Sequence, residues 1–500
     1  MMILRNLSAL AMLMAASTAI AQPAEPPTST PIKHVVVLFQ ENVSFDHYFG
    51  TYPHARNLPG EQRFDAAPGT PAVDGLTPQL LEHNPNAANP IRLWRQLAAT
   101  CDMDHEYADE QAAFDGGKMD RFVEATASPS GGCDASMVMG YFDGNTVTAL
   151  WNYAQHFAMS DRFFGTTFGP SSPGAINLIS GNAHGAVMVP TKLPVVPLPI
   201  LTIIDDLDPA YDDCSDPGKP HAVMVGRNIG DLLNAKQVSW GWFQGGFKPN
   251  GSKRGKAFCG ARSGGPDRVF DYSPHHEPFQ YYAQTANPGH LPPSAPDKVG
   301  YADRANHQYD LGLFYEALAQ GRLPAVSFVK AKAYQDGHAG PDYSNPLDEQ
   351  VYLVHIINAI MRSPYWRDTA IILTYDDSDG WYDHVAPPIV NGSAIPGVDA
   401  YSGPGRCGSP EPGAYQGRCG HGPRLPLMVI SRFARVNYVD HTVTDQTSVL
   451  RFIEDNWMLG RIGDQSFDAK AGPLTGLFDF AAPRAPTLIL DEKSGAPASS

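Results

Sequence analysis

Two pairs of oxygen-bearing side chains, Glu41-Asn42 and Asp376-Asp377, follow closely behind runs of apolar residues. Adjacent carboxylates repel one another unless a cation neutralises them, and a hard divalent cation prefers ligand sets made of oxygen. If the fold brings the two pairs together, the sequence therefore predicts a metal site. The alternative is that each pair forms a turn or caps a helix, because Asp and Asn favour turns.

A third candidate is Ser171, in the segment 168–174 (FGPSSPG), which leads into the apolar residues 175–179 (AINLI). Pro and Gly favour a tight turn, and the apolar run can begin a helix. A serine at a helix N-terminus lies where amide groups and the helix dipole favour a phosphate. Ser171 is thus a candidate nucleophile, activated by a metal that lowers the pKa of its hydroxyl. The alternative is simple helix capping by Ser171 or Ser172.

Several histidines lie in polar segments between the apolar runs. The candidates are His105, the adjacent pair His275-His276, His338 shortly after an apolar run, and His384 after the second acidic pair. A histidine can donate a proton to a leaving alkoxide or bind phosphoryl oxygens. Each of them can equally be a surface or structural residue.

The apolar runs indicate the elements that must position these residues. Four runs are nearly continuous, which is typical of parallel strands buried on both faces: residues 32–39 (IKHVVVLF), 325–329 (AVSFV), 369–375 (TAIILTY) and 427–430 (LMVI). In open parallel sheets, ligands bind beyond the carboxyl ends of the strands. We therefore expect both acidic pairs at one edge of a sheet.

Helical patterns separate the strands. Residues 348–361 have apolar side chains at helical spacing after an acidic first turn, and residues 447–457 form an amphipathic pattern that opens with Thr447 as a possible N-cap. This alternation predicts an α/β sandwich. Three Pro- and Gly-rich segments, 52–90, 245–300 and 386–424, are too long for plain connections and indicate functional or cross-linked insertions.

The N-terminal residues indicate a cellular location for the protein, and its net charge indicates which classes of partner to expect. Residues 1–21 resemble a secretory signal, with Arg5, a short apolar run and Ala19-Ile20-Ala21 as the cleavage site, although an N-terminal core helix is the alternative. We expect a periplasmic or secreted protein without a transmembrane anchor. The net charge of −16 argues against a nucleic-acid partner and against electrostatic docking on anionic lipid.

The six cysteines are consistent with an oxidising compartment. None forms a C-x-x-C pair, so a zinc ribbon is not indicated. Six cysteines allow about 15 pairings, and sequence does not choose among them. The simplest hypothesis is sequential pairing, with free thiols as the alternative: Cys101 with Cys133, Cys214 with Cys259, and Cys407 with Cys419.

Six motifs occur in order along the chain: 40–50 (QENVSFDHYFG), 169–171 (GPS), 336–338 (DGH), 375–377 (YDD), 382–385 (YDHV) and 451–457 (RFIEDNW). Together they resemble the bacterial phosphoesterase family, which contains phospholipases C and respiratory-burst-inhibiting acid phosphatases within the alkaline phosphatase superfamily. The motifs span nearly the whole chain after the predicted signal, so the ordered set is far more specific than any one of them.

The resemblance implies an alkaline-phosphatase-like α/β/α sandwich with a mostly parallel central sheet and long loop insertions. It implies one phosphoesterase catalytic domain over residues 22–500. It also implies one divalent metal ion, surrounded by Glu41, Asn42, Ser171, Asp376 and Asp377. The oxygen ligands favour Mg, Ca, Mn or Fe, without choosing among them.

The resemblance further implies that Ser171 attacks phosphorus and forms a phosphoserine, which water then hydrolyses. His105, His275, His276 and His338 would line the phosphate pocket, with His338 as the proton donor to the leaving group. The role of His384 would be structural.

Departures from the family pattern favour one branch. Phospholipases of the family usually have Arg at the position of Val43 and Thr at that of Ser171. They also tend to carry extra C-terminal domains, whereas the present sequence ends soon after Phe480. These features favour a metal-dependent acid phosphatase that hydrolyses phosphoric monoesters. The alternative is a phospholipase C that cleaves phosphatidylcholine-type diesters. In both cases the partner is a small phosphate ester or a phospholipid headgroup.

Two further alternatives have weaker support. A sulfatase would need an arginine after the proline of 171–175 (SSPGA), and that arginine is missing. A non-catalytic protein of the same fold would not need the full set of nucleophile, acids and histidines.

For a phospholipase C, a choline pocket would need aromatic or acidic groups. Five rings are candidates for that pocket and equally for the core: Trp240, Trp242, Phe243, Tyr281 and Tyr282.

Overall fold

The computed structural model describes residues 25–127, 132–189, 198–392, 407–408, 415 and 418–498, so the predicted signal peptide lies outside the described residues. The strands in this part of the chain are β1 (His34–Gln40), β2 (Ile91–Leu93), β3 (Gly140–Phe142), β4 (Ala158–Ser160), β5 (Phe163–Phe164), β6 (His184–Val189), β7 (Leu198–Thr202), β8 (Asp208–Pro209), β9 (His221–Met224), β10 (Trp240–Gln244), β11 (Gly251–Lys253), β12 (Lys256–Phe258), β13 (Gln308–Asp310), β14 (Val326–Lys330), β15 (Thr369–Tyr375), β16 (Leu427–Ser431), β17 (Tyr438–Asp440) and β18 (Thr444–Asp445).

The helices of the described residues lie between and around these strands. They are α1 (Phe45–Phe49), α2 (Pro78–Glu82), α3 (Tyr107–Phe114), α4 (Phe122–Ala125), α5 (Thr148–His156), α6 (Ser171–Ser180), α7 (Ile229–Ala235), α8 (Leu311–Ala319), α9 (Pro346–Arg362) and α10 (Gln446–Trp457). Helix α6 packs on α7 and α10, whereas α5 packs on α9. These helices thus pack against one another beside the sheet.

The central sheet has eight strands in the order β13-β10-β14-β1-β15-β16-β4-β17. All its pairings are parallel except those that β16 makes with β15 and β4. Strands β10, β14, β15 and β16 are buried along their whole length, as strands covered on both faces must be. The predicted α/β sandwich with a mostly parallel central sheet and long insertions is therefore confirmed.

Three of the four predicted strands are parallel neighbours in the order β14-β1-β15, but the fourth, β16, runs antiparallel to β15. Its apolar pattern could not reveal this, because burial on both faces requires apolar side chains whichever way a strand runs. Helix α9 begins earlier than predicted, after the N-cap Asn345 and with Pro346 in its first turn. Thr447 as the N-cap of α10 is wrong: the cap is Asp445, which forms a capping box with Ser448.

The aromatic rings that were candidates for a choline pocket belong to the main hydrophobic core. Each is at most 1% exposed: Trp240, Trp242, Phe243, Tyr281 and Tyr282. Their interpretation as core residues is therefore confirmed, and a choline pocket would have to be built from other groups.

Three disulfide bonds join Cys101 to Cys133, Cys214 to Cys259 and Cys407 to Cys419, so the sequential pairing is confirmed. The second bond ties the insertion 245–300 to the segment after β8, and the third lies within the insertion 386–424. Among the described residues, no helix has the length and apolar character needed to cross a membrane.

Candidate active site

The register between β1 and β15 brings the two acidic pairs together. Gln40 lies opposite Tyr375 in the parallel ladder, so the residues that follow both strands meet at the carboxyl edge of the sheet. The backbone amide of Asn42 donates to Asp376 Oδ1 at 3.1 Å, and the amide of Asp377 donates to the same oxygen at 2.8 Å. The structure thus places the two acidic pairs next to each other, as the metal-site prediction requires.

Helix α6 presents Ser171 to these acids as its first residue, after the N-cap Pro170. The Ser171 hydroxyl lies 3.1 Å from Glu41 Oε2 and 3.0 Å from Asp377 Oδ2. Gly174 allows this approach, because a Cβ there would lie 2.3 Å from the carbonyl oxygen of Asp376. Ser171 is therefore held against the acidic pairs, and neither Ser171 nor Ser172 is the helix cap.

The three predicted carboxylate ligands, Glu41, Asp376 and Asp377, are at most 4% exposed. The ammonium group of Lys330, at the end of β14, contacts Glu41 Oε1 and lies 3.6 Å from Asp376 Oδ2. Burial and the repulsion from Asp376 raise the pKa values of Glu41 and Asp377 well above their usual range. Burial alone would also raise the pKa of Asp376, but Lys330 holds it below its ordinary value.

This set of residues fits a hard divalent cation. When ionised, the three carboxylates outnumber the single ammonium of Lys330, and a divalent cation would offset the excess negative charge. Asp376 Oδ2 and Asn42 Oδ1 are buried and have no hydrogen-bond partner among the residues that the structure describes. Because a buried polar atom without a partner is costly, these oxygens are suited to coordinate an ion.

The adjacent histidines His275 and His276 lie beside Glu41 but differ in their surroundings. His276 is 2% exposed, its Nδ1 lies 3.1 Å from Glu41 Oε1, and burial lowers its pKa well below the usual range. His275 lies 3.6 Å from Asp206 and 3.5 Å from Asp208. Burial lowers the pKa of His275, but these two carboxylates outweigh burial and leave the pKa raised.

His105, just before α3, and His338, after β14, lie with their ring centroids 6.3 Å apart. Asp377 and Asp379 outweigh burial and raise the pKa of His105. His338 Nδ1 lies 2.8 Å from the carbonyl oxygen of Ala339, and burial lowers its pKa. A neutral His338 that donates its Nδ1 proton to Ala339 has an acceptor at Nε2. Its predicted role as proton donor therefore requires the protonated ring.

The structure thus gathers all nine predicted site residues at one edge of the sheet: Glu41, Asn42, His105, Ser171, His275, His276, His338, Asp376 and Asp377. His384 lies outside this group. It pairs with Asp46, with its Nδ1 2.6 Å from Asp46 Oδ2, as expected for a structural histidine.

Three residues of the site were missed in the sequence. Lys330 ends β14, so the rule applied to the acidic pairs would have found it. Asp379 accepts from the Asn42 side-chain amide at 2.9 Å and lies two residues beyond Asp377. Glu110 joins two site loops by accepting from the Gly169 amide at 2.7 Å and the Ser378 hydroxyl at 2.6 Å. No local pattern marks Glu110, because its partners are distant in sequence.

Comparison with curated proteins finds phospholipases C. A non-hemolytic phospholipase C of Burkholderia pseudomallei is 25% identical over 95% of this chain and 63% of its own length. Phospholipase C A of Mycobacterium tuberculosis is 25% identical over 91% of this chain and 78% of its own length. The chain therefore spans less than two thirds of the Burkholderia relative.

Among solved structures, a protein of the alkaline phosphatase superfamily from Vibrio parahaemolyticus covers 88% of this chain and 71% of its own, with 12% identity and a TM-score of 0.33. The sequence profile of the Phosphoesterase family matches residues 32–460. That match extends over most of the chain and contains the nucleophile candidate, the acidic pairs and the four histidines. The chain therefore belongs to the phosphoesterase family.

Proposed function

We propose that this protein hydrolyses phosphoric esters through direct attack of Ser171 on phosphorus. The observation that carries the proposal is the position of the Ser171 hydroxyl, at the start of α6 and within 3.1 Å of two buried carboxylates. A hydroxyl at a helix N-terminus lies beside amide groups that favour phosphoryl oxygens. The family and the phospholipase C names of its relatives support the same chemistry.

In this proposal, Glu41, Asn42, Asp376 and Asp377 would hold a divalent metal ion together with the Ser171 oxygen. The bound ion would polarise the phosphoryl oxygens and favour the alkoxide form of the serine. The bond between Ser171 Oγ and phosphorus forms while the bond from phosphorus to the alcohol oxygen breaks. The amide groups at the start of α6 stabilise charge on the phosphoryl oxygens.

The histidines around the pocket donate a proton and orient the phosphoryl group. A protonated His338 donates a proton to the departing alcohol oxygen, and His105, His275 and His276 line the phosphoryl site. Water then attacks the phosphoserine, which releases phosphate or a phosphate monoester and restores the Ser171 hydroxyl. The order of bonds made and broken is the same for a monoester and for a diester.

For the substrate, we propose a phospholipid-type diester with a cationic headgroup. The relatives named phospholipase C support a diester. The rim of the site carries the exposed acids Asp102, Glu106 and Asp205, and Asp206 lies beside His275. Acidic groups repel an anionic alcohol and attract a quaternary ammonium. The headgroup would therefore be recognised by carboxylates, since the candidate rings are in the core.

A second candidate is an acid phosphatase acting on phosphoric monoesters. Two sequence features favour it, namely Val43 in place of the arginine and Ser171 in place of the threonine that are usual in the phospholipases of the family. Both activities depend on the same nucleophile, so they differ only in what the pocket accepts beyond the phosphoryl group.

One rate comparison tests the proposal. The purified protein with its disulfides intact is supplied with Mn²⁺, and its rates on a chromogenic phosphomonoester and on the matching phosphorylcholine diester are compared. Ser171→Ala should abolish both rates, whereas Ser172→Ala, which removes only the contact with the Tyr281 hydroxyl at 3.2 Å, should keep most of them. Faster diester cleavage supports the phospholipase C assignment, and faster monoester cleavage supports the phosphatase. A rate unchanged in Ser171→Ala would refute the nucleophile.

We also propose that the protein is exported to the periplasm or beyond. The signal-like residues 1–21 and the three disulfide bonds support this location, because disulfides persist in oxidising compartments. Fractionation of cells that produce the full chain, followed by N-terminal sequencing, tests both the location and the expected cleavage after Ala21.

A further inference from the structure

A buried lysine lies among the proposed metal ligands. Lys330 ends β14, the neighbour of β1, and its side chain is 1% exposed. Its ammonium nitrogen lies 4.9 Å from the centroid of the Phe39 ring. The ammonium contacts Glu41 Oε1 and lies 3.6 Å from Asp376 Oδ2. The ammonium group therefore contacts Glu41 and lies close to Asp376, two of the proposed metal ligands.

The burial of this lysine calls for a physical reason. Lysine is rarely buried, and an ammonium in a protein interior is tolerated only when carboxylates compensate for its lost hydration. The two compensating acids are the proposed metal ligands Glu41 and Asp376, and Asp376 Oδ1 accepts from the backbone amides of Asn42 and Asp377. Asp376 Oδ2 has no hydrogen-bond partner among the described residues, and Glu41 otherwise contacts Ser171 and His276.

We propose that Lys330 is a built-in counter-cation of the metal site, which holds the ligands together before the metal binds and weakens the affinity for the metal. This inference rests on the metal site of the proposed function. Without metal, the ammonium offsets the repulsion among Glu41, Asp376 and Asp377. With metal, the ammonium is a like charge close to the ion, and the repulsion lowers the affinity.

The proposal gives Lys330 a positioning role. A site of three carboxylates without the lysine would attract cations more strongly but would be poorly ordered when empty. With the lysine, the affinity for cations is lower and the empty site is better ordered. The ligands therefore keep their positions without metal, and the metal exchanges more readily. Removing the charge must therefore change metal affinity and metal-free stability in opposite directions, which a purely structural lysine would not do.

The test measures metal affinity directly in the full chain. Metal is removed with a chelator, and Mn²⁺ binding is measured by titration calorimetry at the same pH for every variant. Lys330→Met, which keeps the length of the side chain but removes its charge, should bind Mn²⁺ at least about tenfold more tightly. Lys330→Arg keeps the charge and should stay within about threefold of the wild type.

Lys332→Met is the matched control. Lys332 lies two residues further along, is 33% exposed and faces Asp271 at 3.4 Å, away from the metal ligands. Its replacement should leave Mn²⁺ affinity unchanged. Equal or weaker Mn²⁺ binding in Lys330→Met would overturn the proposal and would indicate instead a lysine that only fills space or binds the phosphoryl group.

Thermal unfolding supplies the second measurement. Without metal, Lys330→Met should unfold at a lower temperature than the wild type, and saturating Mn²⁺ should raise its unfolding temperature by more than it raises that of the wild type. If Lys330→Met fails to fold without metal, the proposal requires that it refolds in millimolar Mn²⁺, because the ion replaces the missing charge. A variant that stays unfolded in Mn²⁺ contradicts it.

The outcomes separate this inference from the proposed function. A wild type that hydrolyses esters and binds Mn²⁺, with a Lys330→Met variant of unchanged affinity, overturns the role of Lys330 alone. A wild type that binds no divalent cation overturns both the metal site and the counter-cation.

Discussion

The molecule has two buried clusters of charged side chains whose carboxylates lie after the same two strands, β1 and β15. The carboxylate cluster consists of Glu41, Asp376, Asp377 and Lys330, and the arginine cluster consists of Asp46, Asp383, His384 and Arg424. Glu41 of the carboxylate cluster forms, with His276 and Asp336, a group whose ligand atoms lie within 4.8 Å of one another, and Asp46, Asp383 and His384 of the arginine cluster form another such group. Proximity of ligand atoms therefore does not distinguish the two clusters. The two clusters differ in their balance of positive and negative charge.

The arginine cluster is complete without an ion. Arg424 donates to Asp46 at 2.9 Å and to Asp383 at 3.1 Å, and His384 donates to Asp46 at 2.6 Å. Every carboxylate oxygen of the two aspartates accepts at least one hydrogen bond. Arg424 also lies 4.2 Å from the ring centroid of Phe45. With both cations charged, the cluster is neutral, which is what a buried structural network requires.

The carboxylate cluster is left incomplete. It has one cation for three acids, and Asp376 Oδ2 has no hydrogen-bond partner among the described residues. Unbalanced charge and unpaired oxygens cost stability unless a ligand compensates for them. The contrast indicates that the arginine cluster stabilises the loops after the strands, whereas the carboxylate cluster is kept open for chemistry.

The largest expected effect comes from Asp376→Asn. The substitution removes a metal ligand charge but also removes repulsion from Glu41. We expect kcat on a phosphate ester to fall by about 10³-fold or more. A loss of this order is typical when an enzyme loses one group that stabilises charge in the transition state. The unfolding temperature of the metal-free protein should not fall. Steady-state kinetics and thermal unfolding measure the two quantities.

Asp109→Asn, on the partly exposed side of α3, is the control for the loss of a carboxylate and should change neither quantity. If Asp376→Asn keeps its activity, the carboxylate cluster is not the active site. If it instead unfolds the metal-free protein, the two clusters have the same structural role and the comparison fails.

The second prediction concerns Arg424→Met in the arginine cluster. The change leaves Asp46 and Asp383 buried without their main cation. We expect the free energy of unfolding to fall by about 3–5 kcal/mol, as when one partner of a buried pair is removed. Urea unfolding with intact disulfides measures the loss. Arg432→Met, at an exposed neighbouring arginine, should cost little.

Mn²⁺ affinity is the measurement that sharpens this prediction. In the fraction of Arg424→Met that remains folded, Mn²⁺ should bind as it does to the wild type, because Arg424 contacts none of the proposed ligands. A large change in affinity would show that the two clusters act as one network.

The third prediction is a pH dependence of stability. Burial lowers the pKa of His384, but Asp46 outweighs burial and raises the pKa to about 9. Because the folded state binds this proton more tightly than the unfolded state, the contribution is fully present below the unfolded pKa of about 6.5 and disappears as pH rises through 9. We expect a loss of about 2–3 kcal/mol between pH 7 and pH 10.

Urea unfolding across this pH range tests the assignment to His384. Other groups titrate over the same range, so the relevant quantity is the difference between the wild type and His384→Gln. That difference should shrink as pH rises. If it is constant from pH 7 to pH 10, the proton on His384 does not stabilise the arginine cluster.

Much of the site was visible in the sequence because it depends on local order. Acids that directly follow apolar strands must lie at the sheet edge, and Ser171 must begin the helix that its Pro- and Gly-rich turn precedes. The acidic pairs were therefore predictable as neighbours once β1 and β15 were taken as parallel. The pairing of the cysteines was predictable only as the simplest hypothesis.

The remaining features depend on contacts between distant segments. The direction of β16 is not encoded in its apolar pattern, and the rings of β10 have the composition of a pocket but the burial of a core. The arginine cluster was also not visible in the sequence, because Asp46, Asp383 and Arg424 lie in three separate segments. Only the position of Arg424, 41 residues from Asp383, shows which acids are neutralised.

The smallest expected effect concerns Glu110, which joins the loop before α6 to the loop after β15. Glu110→Ala leaves the Gly169 amide and the Ser378 hydroxyl without their acceptor. We expect a loss of about 1–3 kcal/mol in stability and a fall of about tenfold in kcat, because Ser171 follows Gly169 by two residues and loses its fixed position. Denaturant unfolding and steady-state kinetics measure these effects.

Glu110→Gln is the matched control, since its amide oxygen can still accept from Gly169 while its amide nitrogen faces Ser378. Burial raises the pKa of Glu110 to about 7. The glutamine variant should therefore keep most of the activity. If both variants lose kcat equally, the charge of Glu110 acts on the carboxylate cluster directly, and that cluster is larger than its three predicted ligands and Lys330.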